Sequence, residues 1–244
     1  MGKILWRPDN IHKTHMMEFM GRINNLYDLQ IQSYEELHHW SIKNIPDFWK
    51  EIWNQSDIIH SKTYTSIIDN VQKMPGAKWF PGSRLNFAEN LLRFRDDRIA
   101  IYAKAENLPL RSITYNELFN QVEALAHSLK SIGVKKGDRV AGFIPNIPEA
   151  VIAMLATSAI GAIWSSASPD FGVKGVLDRF KQIEPKIVFT SDGYFYNGKK
   201  FDSLEKLNDI LKKLPSVEKT IIINQIDNQK RNEFPHNSIC YNDF

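Results

Sequence analysis

The sequence is poor in the features that mark secreted, membrane-spanning, metal-binding and nucleic-acid-binding proteins. Cys240 is the only cysteine among the 244 residues, which excludes a disulfide within the chain and favours a reducing compartment. No run of about 18 apolar residues could span a membrane, and the first nine residues lack the apolar stretch of a signal peptide. His38 and His39 are adjacent and would point about 100° apart on a helix, so we expect no metal site there. The net charge of +3 is small and the lysine pairs are scattered. Together these observations predict a cytoplasmic protein whose partners include neither a membrane nor a nucleic acid.

Common nucleotide-binding and hydrolase fingerprints are missing as well. Neither G-x-G-x-x-G nor G-x-S-x-G occurs, which counts against a Rossmann dehydrogenase and against an α/β-hydrolase. The segment GYFYNGKK at 193–200 approaches a phosphate-binding P-loop, but Lys200 stands where Ser or Thr must hold magnesium. Asn197 and Gly198 instead predict the two-residue turn of a β-hairpin.

What the sequence does contain is a helical segment followed by alternating strands and helices. The alternation begins near residue 98 and predicts an α/β fold with a mostly parallel, doubly wound sheet. We place the domain boundary so that the helical segment covers 1–95 and the sheet domain covers 96–244. Helices are predicted at 14–29, 33–42, 47–53, 114–129, 148–160, 173–183 and 204–214, strands at 99–103, 110–113, 139–144, 162–166, 187–190, 220–223 and 238–241, and a polar loop at 225–236.

A run of small residues with a proline break follows one predicted strand. Residues 161–172 read GAIWSSASPDFG and stand between two predicted helices. Small side chains at a strand end let the backbone approach a ligand closely, as happens at the carboxyl edge of parallel sheets. This run is therefore the first candidate for a binding site.

Five features of the sequence belong together: residues 34–41 with 48–53, WFPGSRLNFAENL at 79–91, ITYNEL at 113–118, residues 137–149 and the run at 161–172. In this order they resemble segments of the acyl-CoA synthetases of the adenylate-forming superfamily, and of the acetoacetyl-CoA synthetases among them. The resemblance covers almost the whole chain and implies the N-terminal half of an adenylate-forming domain preceded by a helical segment.

The resemblance implies an acid–thiol ligation in two steps. Acetoacetate and ATP, with Mg²⁺, would give an acyl-adenylate and pyrophosphate, and CoA would then displace AMP. The resemblance places Ser168, Pro169 and Asp170 beside the CoA nucleotide and Lys199 where relatives use arginine on its 3′-phosphate. Lysine keeps the charge without the bidentate fork of arginine, and Tyr196, at a second arginine position, departs from the pattern. No catalytic residue is assigned.

The chemical machinery of the family is absent from residues 1–244. These residues lack its phosphate loop, its adenine motif, its ribose aspartate, its hinge and its catalytic lysine, and nothing in them replaces these preorganised groups. We therefore expect that they form no acyl-adenylate alone, and that they self-associate through apolar surface left uncovered. One other hypothesis stays open, a non-enzymatic module that binds CoA or a partner protein. A third, an unrelated α/β nucleotide-binding enzyme, is disfavoured by the missing glycine fingerprints.

Overall fold

The structure is a computed structural model that describes residues 5–226 and 234–244. The beginning of the N-terminal stretch and most of the polar loop predicted at 225–236 lie outside the described residues. Contacts between Cα atoms divide the chain into two units, Met1–Leu85 and Asn86–Phe244.

The first unit is built from helices and irregular segments. Its helices are α1 His15–Tyr27, α2 Tyr34–Lys43 and α3 Ile45–Gln55. A capping box starts α2, because the Glu36 amide donates to Ser33 Oγ at 3.2 Å and the Ser33 amide donates to the Glu36 carboxylate at 3.2 Å. The buried Glu51 carboxylate receives two hydrogen bonds from Arg22, at 2.9 and 3.0 Å, so its charge is compensated within this unit.

The second unit contains the predicted alternation of strands and helices, with element ends that differ from the prediction by a few residues. The largest difference is the helix predicted to end at 214, which ends at Leu211. The elements are α4 Phe87–Leu91, β1 Ile99–Ala103, β2 Arg111–Thr114, α5 Tyr115–Ser131, β3 Arg139–Phe143, α6 Pro148–Ala159, β4 Ile163–Ala167, α7 Val173–Ile183, β5 Ile187–Ser191, β6 Gly193–Tyr196, β7 Lys199–Asp202, α8 Leu204–Leu211, β8 Lys219–Ile223 and β9 Ser238–Cys240.

The central sheet has five parallel strands in the order β4-β3-β5-β8-β9. Alternate side chains of these strands enter two separate apolar cores. Val140 and Phe189 lie in the core that includes α5 and α6, whereas Phe143 and Val188 lie in the core that includes α7 and α8. With helices on both faces, the sheet is doubly wound, and the predicted fold class is confirmed.

The strand order places a crevice at one edge of this sheet. β4 lies on one side of β3, and the chain then crosses to place β5 on the other side. The connections after β3 and β5 therefore leave in opposite directions, and a crevice opens outside the carboxyl ends of these strands. Two antiparallel pairs, β1 with β2 and β6 with β7, supplement the sheet.

Candidate functional site

A cleft of about 250 Å³ lies at the carboxyl edge of the sheet. It is lined by residues that follow β3, β4, β5 and β8, together with the loop after β1. The crevice expected from the strand order is therefore present in the structure. The lining consists of Ala105, Leu108, Pro145, Asn146, Ile147, Ser168, Pro169, Asp170, Tyr194, Phe195, Tyr196 and Gln225.

The loop that follows β4 is held by side-chain contacts. Ser168 Oγ donates to Asp170 Oδ2 at 2.9 Å, and Lys206 Nζ of α8 donates to the Pro169 carbonyl at 3.2 Å. Burial and the neighbouring Asp170 carboxylate raise the pKa of Tyr194 from 10.0 to about 12, so its hydroxyl stays protonated well into alkaline pH. Ser168, Pro169 and Asp170, which sequence reasoning singled out, all line the cleft.

The second wall of the cleft is the β6–β7 hairpin. Tyr196 pairs with Lys199 across the hairpin, and Asn197 and Gly198 have positive φ values of 50° and 71°. These values fit the two-residue turn predicted from the Asn-Gly pair, and they confirm a hairpin at the near match to a P-loop. Lys199 is exposed beside the turn and is not among the residues that line the cleft.

Sequence reasoning missed the wall that the loop after β1 contributes. Ala105 and Leu108 line the cleft, and Glu106 between them accepts hydrogen bonds from the amides of Asn197 and Gly198 at 3.0 and 2.9 Å. Glu106 stands 91 and 92 positions from these partners, and no local pattern in the sequence could have joined them.

The described residues assemble no metal centre. Within 5–226 and 234–244, no three His, Cys, Asp or Glu side chains gather as a metal site. We therefore assign no Mg²⁺ ligand and no step through that ion to the described residues. In the same described ranges, no helix is long and apolar enough to cross a membrane.

Comparison with protein families gives two matches in the order expected from the resemblance. Residues 34–91 match the acetyl-coenzyme A synthetase N-terminus, and residues 87–243 match the AMP-binding enzyme family. The second match covers more than half of the chain and includes every residue that lines the cleft.

Comparison with individual proteins shows the same relationship. Acetoacetyl-CoA synthetases of Macaca fascicularis and Xenopus tropicalis are 41% and 45% identical over 99% and 91% of this chain, which covers 37% and 33% of their lengths. The structure of acetoacetyl-CoA synthetase from Streptomyces lividans superposes with a TM-score of 0.89 at 36% identity over 99% of this chain and 38% of that one. The chain thus spans about a third of the length of the curated relatives it matches. It belongs to the AMP-binding enzyme family and is homologous to the N-terminal part of the acetoacetyl-CoA synthetases.

Proposed function

We propose that this chain supplies the CoA-facing cleft and much of the scaffold of an ATP-dependent acetoacetate–CoA ligase. The observation that carries the proposal is the cleft at the carboxyl edge, where Ser168, Pro169 and Asp170 meet the aromatic residues of β6. In this assignment residues 1–95 form the helical segment and residues 96–244 the first part of the adenylation domain. ATP, acetoacetate and Mg²⁺ belong to the reaction of the whole ligase.

The chemistry of the cleft suits the neutral groups of a nucleotide rather than its phosphates. Tyr194, Phe195 and Tyr196 offer aromatic surface to a base, and the side-chain amide of Asn146 offers a hydrogen-bond donor and an acceptor. The Asp170 carboxylate accepts hydrogen bonds and repels phosphate, so it suits an amino or hydroxyl group of the ligand.

Lys199 is the residue we propose for the phosphate. It is exposed on the strand that follows the turn, where its ammonium group acts as a point charge without the planar fork of arginine. A contact of this kind contributes modestly in water, because solvent screens exposed charges. The 3′-phosphate of CoA would thus lie outside the cleft, beside the hairpin.

Calorimetric titration of the chain with CoA, dephospho-CoA and ATP tests this assignment. We expect CoA to bind more tightly than dephospho-CoA, and Lys199→Gln to weaken CoA affinity about three- to fivefold while leaving dephospho-CoA affinity unchanged. Lys213→Gln, which removes another exposed lysine, is the matched control. Equal affinities of the unsubstituted chain for CoA and dephospho-CoA would refute the role of Lys199, and no affinity for either would refute the proposed function.

We further propose that residues 1–244 by themselves form no acyl-adenylate, because they contain none of the preorganised donors that the transferring group needs. The measurement is the acetoacetate-dependent release of pyrophosphate from ATP in the presence of Mg²⁺. We expect no more pyrophosphate than in a reaction without protein. Release that depends on this chain would contradict this part of the proposal.

A further inference from the structure

We propose that Glu106 is a positioning residue for the cleft, because its carboxylate holds the tip of the β6–β7 hairpin against the loop after β1. The proposal rests on the proposed function, since the positioned wall is the one that would meet CoA. It goes beyond that function by assigning a role to a residue outside the segments that carry the family resemblance.

The turn between β6 and β7 presents two amide donors that the hairpin cannot use. Tyr196 and Lys199 form the last pair of the ladder, so the N–H groups of Asn197 and Gly198 point away from it. The Asn197 amide donates to Glu106 Oε1 at 3.0 Å, and the Gly198 amide donates to Glu106 Oε2 at 2.9 Å. Each carboxylate oxygen therefore satisfies one amide, and hydrogen bonds to an ionised acceptor are stronger than neutral ones.

The contact joins the two walls of the cleft. Ala105 and Leu108 flank Glu106 and line one side, while Tyr196 adjoins the turn and lines the other. The loop that carries Glu106 is itself tied down, because Lys104 Nζ donates to the Leu108 carbonyl. Movement of the hairpin tip would therefore change the distance between Tyr196 and this loop, and with it the width of the cleft.

Glu106 lies outside the apolar cores, so its proposed positioning role can be tested apart from any role in core packing. Its side chain is exposed, and the apolar cores of the second unit do not include it. Removal of the carboxylate should therefore loosen the hairpin tip without a large loss of global stability.

A competing interpretation makes the opposite prediction for ligand binding. In that interpretation the two amides form a seat for a ligand phosphate, and Glu106 occupies it in competition with the ligand. Removal of Glu106 would then tighten CoA binding, whereas loss of a positioning contact weakens it. The sign of the change decides between the two.

The experiment compares Glu106→Ala and Glu106→Gln with Glu123→Ala, which removes an exposed glutamate from α5. Amide hydrogen exchange of Asn197 and Gly198, followed by NMR without ligand, reports the contact itself. We expect exchange about tenfold faster in Glu106→Ala, an intermediate rate in Glu106→Gln because glutamine keeps one acceptor oxygen, and no change in Glu123→Ala. Calorimetry with CoA should show affinity weakened about fivefold in Glu106→Ala and restored in part by Glu106→Gln.

Unchanged exchange of both amides in Glu106→Ala would overturn the proposal. So would faster exchange with CoA affinity that is unchanged or tighter. A chain without substitutions that binds no CoA would refute the proposed function instead, and the exchange rates would still show whether Glu106 holds the turn.

Discussion

At the scale of single residues, Gly193 has no side chain, and this lets β6 lie close to β7 and to Ile226. A Cβ atom built at this position would lie 2.3 Å from the Phe201 carbonyl oxygen and 2.2 Å from Ile226 Cδ1. The carbonyl belongs to the paired strand β7 and cannot yield as a flexible side chain could. Gly193 therefore supports the register of the hairpin that lines the cleft.

We expect Gly193→Ala to lower the free energy of unfolding by about 2 to 3 kcal/mol, because the hairpin must shift to relieve the overlap. Urea denaturation followed by circular dichroism measures this. Gly175→Ala is the matched control, since its new Cβ would have no neighbour nearer than 3.7 Å, and in helix α7 it should stabilise by about 0.5 to 1 kcal/mol. Similar stabilities of the two variants would contradict the steric role of Gly193.

Tyr241 lies in an electrostatic cluster formed by residues distant in the sequence. Arg111 Nη1 donates to the Oε1 atom of the buried Glu149 carboxylate at 2.9 Å. Burial and the negative charge of Glu149 raise the pKa of Tyr241 from 10.0 to about 12, and Arg111 partly opposes the shift. The folded state therefore favours the neutral phenol.

This shift predicts a loss of stability in alkali. Because the pKa of Tyr241 is higher in the folded state, its contribution is complete below pH 10 and is lost as the pH rises through about 12. Between these pH values we expect the Tyr241→Phe variant to lose about 1 to 2 kcal/mol less of its free energy of unfolding than the unsubstituted chain. Urea denaturation at both pH values measures the difference, with Tyr102→Phe, at an exposed position, as the control. If the free energy of unfolding changed with pH in the same way with and without Tyr241→Phe, the raised pKa of Tyr241 would be contradicted.

At the scale of elements, a capping box defines where α2 and α5 begin. Thr114 Oγ1 accepts from the Glu117 amide at 3.1 Å, and the Glu117 carboxylate accepts from the Thr114 amide at 2.8 Å. This capping box starts α5 directly after β2 and thereby sets the direction in which the helix leaves the antiparallel pair of β1 and β2. The same Ser/Thr-x-x-Glu pattern starts α2, which explains why sequence reasoning located both helix starts.

We expect Thr114→Ala to cost about 1 kcal/mol of folding stability, because the first turn of α5 loses an acceptor for an otherwise unpaired amide. Thr114→Ser keeps the hydroxyl and should retain most of the stability. Thermal unfolding followed by circular dichroism compares the two variants. Equal losses for alanine and serine would show that the methyl group, and not the cap, matters at this position.

At the scale of the whole molecule, the central sheet has an open edge at β4. β4 is the outermost strand on its side, and among the described residues no strand pairs with its free edge. Ile163 on this strand is 52% exposed. An exposed strand edge with apolar side chains is a template for pairing with another chain.

We therefore expect self-association that increases with protein concentration and is reduced by Ile163→Lys, because a charge at an edge strand opposes pairing. Sedimentation velocity over a range of concentrations measures this. Leu110→Lys, at another exposed apolar position, controls for the general effect of added charge on solubility. A monomer at every concentration without either substitution would contradict the expectation.

Local patterns in the amino-acid sequence are enough to predict most of the helices and strands, the fold class and the family of this protein. Capping boxes, the proline at the start of α6 and the Asn-Gly turn act over a few residues, so their consequences can be predicted from short segments. The run at 161–172, through Ser168, Pro169 and Asp170, also marked one wall of the cleft in advance. By contrast, the contact of Glu106 with Gly198 joins residues 92 positions apart, and the contact of Arg111 with Glu149 joins residues 38 positions apart. These contacts depend on how the strands are ordered in the sheet and on where each loop leaves it, and no local hydrogen-bond or steric preference specifies that geometry.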